Sequence, residues 1–253
     1  MAAALHVVES GDRAAPTVVL VHGTMDRSSS FGRVARQLGD LHLLRYDRRG
    51  YARSYDAGIG ALADHVADLL TVIEGAEGPV VAFGHSFGGV VALTAASQAP
   101  DTFGCVVAYE SPTPWASWWP ARAAGSDAPL DPAEEAEAFM RRAIGDRIWE
   151  RLPARSRSDR RAEGAALLAD LDAVHAGVPY LASDLTVPVI SSYGSETTWW
   201  HRRASEELAD AAPDGELVVV GGAAHGVHLT HPTATAALVR RGVERCEGLA
   251  ARR

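Results

Sequence analysis

The sequence predicts an α/β fold with a mostly parallel sheet, helices on both faces and an inserted helical cap. Short apolar runs typical of buried strands alternate with helical segments up to residue 111. The alternation stops over residues 112–185, where no convincing strand is found, and then resumes. One strand also ends in a glycine-flanked serine turn that leads directly into a helix.

Seven strands are expected in chain order. They cover residues 5–8, 17–21, 41–46, 80–83, 104–109, 187–193 and 216–220. Helices are expected between them, at residues 31–38, 62–73, 90–96, 200–211 and 233–246. Strands that alternate with helices pair in parallel, so the helices should cover both faces of the sheet.

The chain should form one core with one insertion, because 253 residues can bury a sizeable core. We assign residues 1–111 and 186–253 to the core and residues 112–185 to the helical cap. The charged helical part of the cap is expected to bury one face. That face would be lined by Ile144, Ile148 and Leu152.

Composition excludes several classes of protein. The net charge is −8 without a basic stripe, which argues against nucleic acid as a partner. The chain has no lysine, so it has neither a lysine Schiff base nor a P-loop. Cys105 and Cys246 are too few for a disulfide framework. No signal peptide is recognised in residues 1–10 and no apolar run approaches a membrane span, so we expect a cytoplasmic protein without a membrane partner.

The most informative stretch is the G-x-S-x-G pattern at residues 84–88. A serine held in a strained strand-to-helix turn needs small neighbours two residues away on each side, and Gly84 and Gly88 meet that need. The turn would present the Ser86 hydroxyl at the positive N-terminal end of the following helix. Because a strand precedes the pattern and a helix follows it, Ser86 is the predicted nucleophile.

An activated serine needs a base, an orienting acid and donors for an oxyanion. His225 lies in the loop after the last predicted strand, and the chain order of serine, acid and histidine makes it the predicted base. His228 and His231 follow closely. We expect both to pack or to cap the final helix rather than to react.

The oxyanion hole should consist of two backbone N–H groups. One is that of Phe87, directly after the predicted nucleophile. The other should come from the loop after the strand at residues 17–21. Since residues 22–23 make the tight turn there, Thr24 is the expected donor and Met25 the alternative. The side chains of Met25 and Phe87 would either pack or face the acyl pocket.

Taken together, these motifs resemble the α/β-hydrolase superfamily, and the resemblance covers nearly the whole chain. It rests on His-Gly at 22–23, Asp-Arg-Arg-Gly-Tyr-Ala-Arg-Ser at 47–54, Gly-His-Ser-Phe-Gly-Gly at 84–89, the cap and the late His225. Ala52 replaces the glycine usual at its position in the second motif. The resemblance implies a serine hydrolase with a helical cap and a structural loop at Asp47.

The acid has two candidates. The superfamily usually places it in a G-x-x-D pattern after the strand at 187–193, but counting from Gly194 that position is Thr197, which has no charge. Glu196 lies one residue earlier. The other known location is the end of the strand after the elbow helix, where Glu110 stands. We favour Glu110 because it ends a buried strand on the same edge as the serine, and Glu196 stays open.

Tryptophans follow both acid candidates. Trp115, Trp118 and Trp119 come soon after the first, and Trp199 and Trp200 directly follow the second loop. Two such clusters at one sheet edge predict an apolar, aromatic-walled substrate pocket. Packing of the cap against the core is the alternative interpretation.

The sequence thus predicts a cofactor-independent serine hydrolase of a carboxylic ester, lactone or thioester of a small apolar molecule, acting through an acyl-enzyme. C–C bond hydrolysis, acyl transfer or cyclisation in a biosynthetic pathway, and ligand binding without catalysis stay open. Dehalogenases and epoxide hydrolases of this fold carry aspartate at the elbow, so Ser86 argues against both. Histidine and cysteine spacing indicates no metal, and a homodimer is left open.

Overall fold

The computed structural model describes residues 4–120 and 131–250. A seven-stranded sheet runs through it in the order β1-β3-β2-β4-β5-β6-β7, and every neighbouring pair is parallel except β1 with β3. The strands are β1 Val7–Ser10, β2 Thr17–Val21, β3 His42–Tyr46, β4 Val80–His85, β5 Phe103–Tyr109, β6 Val189–Gly194 and β7 Gly215–Val220.

Ten α-helices lie within residues 4–120 and 131–250. They are α1 Gly32–Ala35, α2 Leu62–Val72, α3 Phe87–Gln98, α4 Pro132–Ile144, α5 Asp146–Arg151, α6 Ala154–Ala162, α7 Gly164–His175, α8 Trp199–Ala211, α9 Val227–Thr230 and α10 Pro232–Ala250. None of the described helices combines the length and apolar character needed to cross a membrane.

Helices pack on both faces of the sheet. On one face α2, α3 and α8 bury Val66, Val90 and Leu208, and on the other α1 and α10 bury Val34 and Val239. The interior strands β2, β4, β5 and β6 are buried along their whole length, whereas the edge strands β1 and β7 are partly exposed. This is the pattern expected of a parallel sheet covered on both sides. The predicted α/β fold is confirmed.

Four helices, α4 to α7, lie between β5 and β6. Together with two residues from the loops of the sheet they form a third hydrophobic cluster. Its buried members are Met25, Tyr51, Ala136, Met140, Trp149, Ala166 and Leu167. The helices therefore pack on the loops that follow β2 and β3. Residues 121–130 of the predicted cap lie outside the described residues.

Two local predictions were wrong. Ile148 is 54% exposed, and the neighbouring Trp149 is buried instead. The cause is Gly145, which has a φ of 81°, ends α4 and lets α5 restart with a different helical phase. The helix expected at residues 31–38 is also shorter, because Gln37 and Leu38 donate i→i−3 bonds to Val34 and Ala35 that tighten the chain after α1.

Candidate active site

Ser86 stands alone between β4 and α3 in a strained backbone conformation. Its φ is 53° and its ψ is −125°, a region that residues with a Cβ rarely adopt. The Ser86 N–H donates to the carbonyl of Tyr109 (2.9 Å), and the Ser86 carbonyl accepts from the N–H of Gly89 (2.8 Å). Both bonds hold the turn in place.

The two glycines of the pattern are required by space. A Cβ on Gly84 would lie 2.5 Å from the carbonyl oxygen of Gly88, and one on Gly88 would lie 2.2 Å from the carbonyl oxygen of Val21. Real Cβ atoms essentially never come this close to backbone. The tight turn around Ser86 therefore tolerates only glycine at these two positions.

Glu110 lies at the end of the next strand and contacts His225. It follows β5 directly, has a φ of 45° and is fully buried. Its Oε2 lies 2.7 Å from Nδ1 of His225, and its Oε1 accepts the N–H of Gly194 (3.0 Å). An ionised carboxylate can only accept, so this bond assigns the proton of His225 to Nδ1 and leaves Nε2 with a lone pair.

Electrostatics favour the ionised form of Glu110. Burial alone would raise the pKa of Glu110, but the hydrogen bond and the charge of His225 and the N–H of Gly194 outweigh burial and lower it. The His225 side chain is 42% exposed, whereas Glu110 is closed off from solvent. The pair therefore combines a fixed buried anion with a ring that solvent and ligands can reach.

Glu196, the second acid candidate, lies elsewhere. It is exposed, and its carboxylate accepts a hydrogen bond from the Ser195 hydroxyl (3.3 Å). Its backbone N–H donates to the carbonyl of Ala223 (2.9 Å). Of the two candidates, the structure brings only Glu110 into contact with the His225 ring.

A second histidine, His201, lies beside this pair and was not found from the sequence. Its ring stacks on that of His225 with centroids 4.7 Å apart and planes at 9°. Its Nδ1 lies 3.5 Å from Oε2 of Glu110 and 3.2 Å from the Thr198 hydroxyl. Burial, followed by the charge of His225, lowers the pKa of His201 to about 3, so its ring is neutral. Its only sequence signal is its place in the first turn of the helix after β6.

Of the five tryptophans that follow the acid candidates, Trp118, Trp119 and Trp199 form one aromatic cluster with His201, and Trp200 contacts the rings of Trp199 and His201. Trp118 contacts both Trp119 and Trp199, with ring centroids 5.9 and 6.2 Å apart. The ring of Trp119 meets that of His201 in a T-shaped contact at 5.5 Å. Since His201 stacks on His225, an aromatic surface runs from the partly exposed Trp199 to the His225 ring.

Trp115 lies apart from that cluster. Its ring makes a T-shaped contact with Tyr180 at 5.8 Å, and it packs against the largest hydrophobic core. The burial of Tyr180 raises the pKa of its hydroxyl, which accords with a packing environment. For Trp115 the contacts thus match the packing interpretation more closely than the pocket interpretation.

The loop after β2 runs directly against Ser86. A Cβ on Gly23 would lie 2.9 Å from the Cβ of Ser86, so the backbone there passes the serine closely. Thr24 follows, and its hydroxyl donates to Asp170 (2.8 Å). Met25 has a φ of 58° and a buried side chain. The loop therefore carries two candidate backbone donors next to Ser86, in a tightly held conformation.

Phe87 is the first residue of α3, where a helix leaves its N–H without an intrahelical acceptor. Its side chain is 2% exposed, with Arg48 stacked at 4.6 Å over the ring and His65 in a T-shaped contact at 5.5 Å. The ring thus packs in the core, as does the side chain of Met25 in the third cluster. Only the backbone of these residues remains as a candidate part of the site.

A buried ion pair holds the loop after β2 through hydrogen bonds to its backbone. The sequence did not predict this pair. Arg48 Nη1 and Nη2 donate to the two oxygens of Asp170 at 3.1 and 2.6 Å. The Tyr51 hydroxyl donates to the same carboxylate at 2.7 Å, and Arg48 also donates to the carbonyls of His22 and Gly23. Asp170 comes from α7, so this cluster joins the inserted helices to the loop beside Ser86.

The remaining motif residues have structural roles in the loops that follow β2 and β3. Asp47 accepts the N–H groups of Ser28 (2.7 Å) and Arg53 (3.1 Å). Ala52 keeps a left-handed φ of 48°, the conformation for which the usual glycine is suited. Burial, followed by the charge of Arg48, lowers the pKa of His22 to about 4, and its Nε2 accepts the N–H of Arg48 (2.8 Å).

A model of the alpha/beta hydrolase family matches residues 18–238. A lipase of Mycobacterium tuberculosis, LipV, is 32% identical over 104 residues, which are 41% of this chain and 40% of the lipase. The chain therefore matches less than half the length of that relative.

Solved structures resemble the fold over almost the full chain. One is that of Est816, described as an N-acyl homoserine lactone degrading enzyme, with a TM-score of 0.73, 20% identity and coverage of 93% of this chain and 95% of Est816. Another is a bromoperoxidase of Bacillus anthracis, with a TM-score of 0.72, 19% identity and 95% coverage of both chains. At such identities the likeness concerns the fold alone.

Proposed function

The chain belongs to the alpha/beta hydrolase family, and on that premise we propose that it is a serine hydrolase of a small apolar ester, lactone or thioester. The observation that carries the proposal is the 2.7 Å hydrogen bond between Glu110 and His225, on the sheet edge where Ser86 follows β4. A buried acid that holds a partly exposed imidazole is the arrangement that activates a serine.

In the proposed reaction, Ser86 attacks the acyl carbon while Nε2 of His225 takes the hydroxyl proton. Glu110 holds the Nδ1–H and stabilises the imidazolium that forms, without taking the proton itself. His225 then donates that proton to the leaving oxygen or sulfur. A water activated by the same ring hydrolyses the acyl-enzyme and restores the serine.

The negative charge that develops on the carbonyl oxygen needs preorganised donors. We assign this role to the N–H of Phe87 and the N–H of Thr24, with Met25 as the alternative to Thr24. The contact between Gly23 and Ser86 favours Thr24, because it is the first amide after the point of closest approach. No side chain of these residues takes part.

The aromatic cluster formed by Trp118, Trp119, Trp199 and His201 provides the apolar wall for the substrate. It leads to the His225 ring and consists of aromatic rings, so it suits an apolar acyl or alcohol group. The partner is therefore a small molecule rather than a macromolecule.

A fluorophosphonate probe tests the proposal directly. The folded wild-type chain should be labelled at one position, and Ser86→Ala should abolish both labelling and the hydrolysis of a short-chain aryl ester, by several orders of magnitude. Ser97→Ala, which lies at the end of α3, is the matched control and should keep both. A folded wild type that resists the probe would overturn the proposal and favour a ligand-binding protein.

A further inference from the structure

A second histidine cluster lies directly beneath the proposed active site. It consists of Asp26 in the loop after β2, His85 at the end of β4 and His228 in α9. One side-chain donor atom from each lies within 4.8 Å of the other two. The rings of His85 and His228 are 4.5 Å apart between centroids, and both side chains are more than nine-tenths buried.

The tautomer of His85 is fixed by its surroundings. Its Nε2 lies 2.7 Å from the carbonyl oxygen of His225, and a carbonyl can only accept, so Nε2 carries the proton. In the neutral ring Nδ1 then has a bare lone pair. That nitrogen is buried and has no hydrogen-bond partner among the described residues. A histidine that donates one N–H to a carbonyl and turns its other nitrogen inward is arranged as metal ligands usually are.

His228 has one nitrogen paired with a carboxylate and one without a partner. Its Nε2 lies 3.0 Å from Oδ2 of Asp26. Its Nδ1 is buried and has no hydrogen-bond partner within residues 4–120 and 131–250. Asp26 also accepts a hydrogen bond from the Ser30 hydroxyl (3.0 Å), which orients its carboxylate. Buried polar atoms without partners are unfavourable, so this pocket is built for an additional group.

We propose that Asp26, His85 and His228 form a binding site for one divalent transition-metal ion, with Zn²⁺ the best match. Two imidazoles and one carboxylate are a donor set that zinc accepts, with a further position for water. Donors bound to zinc at about 2.0–2.1 Å lie about 3.4 Å apart, so a pair at the 4.8 Å limit would close by about 1.4 Å. The contact between His228 and Asp26 already has such a spacing.

The ion would connect three loops that matter for the proposed chemistry. Asp26 follows Met25, His85 precedes Ser86, and His228 lies three residues after His225. A single ion would therefore fix the oxyanion loop, the elbow and the histidine loop relative to one another. Its role would be structural, because none of its ligands is a proposed reacting group.

A second group with the same donor types exists at Glu110, His201 and His225. There, however, Glu110 already accepts hydrogen bonds from His225 and from the N–H of Gly194. A metal would have to break a satisfied pair. The cluster of Asp26, His85 and His228 instead offers buried nitrogens without partners, and we therefore assign the ion to it.

The test uses the full chain, freed of metal with a chelator and titrated with Zn²⁺ or Co²⁺. We expect one ion per chain by elemental analysis, a Co²⁺ absorption band in the visible range, and a melting temperature raised by roughly 5–10 °C at about 100 times the Kd. Asp26→Asn should weaken binding at least about tenfold and at least halve the thermal shift at the same metal concentration, and His228→Asn should abolish binding. His201→Gln alters only the group formed by Glu110, His201 and His225, and this variant should keep ion binding.

Two results would overturn the assignment. One is a wild type that retains no ion, in which case water serves the histidine nitrogens. The other is binding that survives Asp26→Asn but disappears in His201→Gln. Because His228→Asn removes buried ring contacts and could unfold the chain, anomalous diffraction from zinc-soaked wild-type crystals supplies an answer without variants. Ser86→Ala should bind the ion equally well, so this test is independent of the proposed function.

Discussion

Glu110 and Asp170 are both buried carboxylates that accept hydrogen bonds from basic side chains, but their partners differ. Asp170 is held by both terminal nitrogens of Arg48 and by the hydroxyls of Tyr51 and Thr24. Glu110 is held by the Nδ1–H of His225 and one backbone N–H. Arg48 is fully buried, whereas the His225 side chain is 42% exposed.

The difference lies in what the partner can do. An arginine stays charged at every accessible pH, so the pair at Asp170 has one state and can only hold the structure together. A histidine ring can gain and lose a proton, so the pair at Glu110 has two states and can follow a reaction. The same buried anion thus stabilises the fold in one place and supports the proposed chemistry in the other.

The largest effect that this comparison predicts is on turnover. Glu110→Gln should lower kcat for an aryl ester by up to about 10⁴-fold, because an amide neither stabilises the imidazolium nor fixes the tautomer of His225. The free energy of unfolding should change by less than about 2 kcal/mol, since the amide oxygen can still accept the Gly194 N–H. Steady-state kinetics and urea unfolding measure the two.

Glu196→Gln is the control for that substitution, because Glu196 is exposed and its carboxylate accepts a hydrogen bond from Ser195 of its own loop. It should leave kcat within about twofold, in line with other surface changes. If Glu196→Gln proved to be the crippling change and Glu110→Gln a mild one, the loop after β6 would supply the acid in solution.

The second effect is on stability. Asp170→Asn should lower the free energy of unfolding by about 3–5 kcal/mol, because the buried Arg48 charge loses its partner. Asp172→Asn alters an exposed residue of the same helix and should stay within about 0.5 kcal/mol of the wild type. Equal unfolding midpoints for both variants in urea would contradict the role we give to the ion pair.

The third effect is the pH dependence of that stabilisation. Burial alone would raise the pKa of Asp170, but the charge of Arg48 and the hydrogen bonds from His65 and Arg48 lower it below its ordinary value. A lowered folded-state pKa stabilises the fold above the unfolded pKa of about 3.9 and loses this contribution as the pH falls further.

The stability difference between wild type and Asp170→Asn should therefore be constant from about pH 5 to 7 and shrink below about pH 4. Urea unfolding at a series of pH values measures it. A difference that grew on acidification would show that the carboxylate titrates in the opposite sense.

The smallest effect concerns Thr24, which connects the two regions. Its hydroxyl contacts Asp170, and its N–H is the proposed oxyanion donor. Thr24→Val removes only the hydroxyl contact, so the loop should shift slightly and kcat should fall about tenfold with KM nearly unchanged. Thr24→Ser keeps the hydroxyl and should restore most of the rate. A rise in KM alone would indicate a role in substrate binding instead.

Much of the fold was predictable because its signals are local. The apolar runs of β2, β4 and β5 lie close to their predicted limits, and the glycine pattern around Ser86 requires the turn that the structure has. The position of Glu110 at a strand end also follows from the sequence. It needed only the rule that parallel strands bring their carboxyl ends to one edge.

The missed features depend on distant parts of the chain. Arg48 and Asp170 are 122 residues apart, and nothing local marks the pair. His201 looks like any histidine near a helix start until its ring is seen to stack on that of His225. The wrong prediction that Ile148 is buried had a different cause. Helical periodicity assumed one continuous helix, whereas Gly145 separates two helices of different phase.

Ser86 and Glu110 share a strained backbone conformation, which affects the substitutions that selection for stability would favour. Both have left-handed φ angles, and each N–H is fastened to the carbonyl end of the next strand, at Tyr109 and Ser192. Such conformations disfavour the folded state by about 1–3 kcal/mol per residue. At Ser86, glycine would remove this strain and lose only about 0.4–1 kcal/mol through a more flexible unfolded chain. At Glu110, glycine would also leave the buried Gly194 N–H without its acceptor, which offsets the relief of strain. Mutational searches that select for thermal stability alone should therefore enrich glycine at Ser86, yielding more robust proteins that have lost the proposed nucleophile.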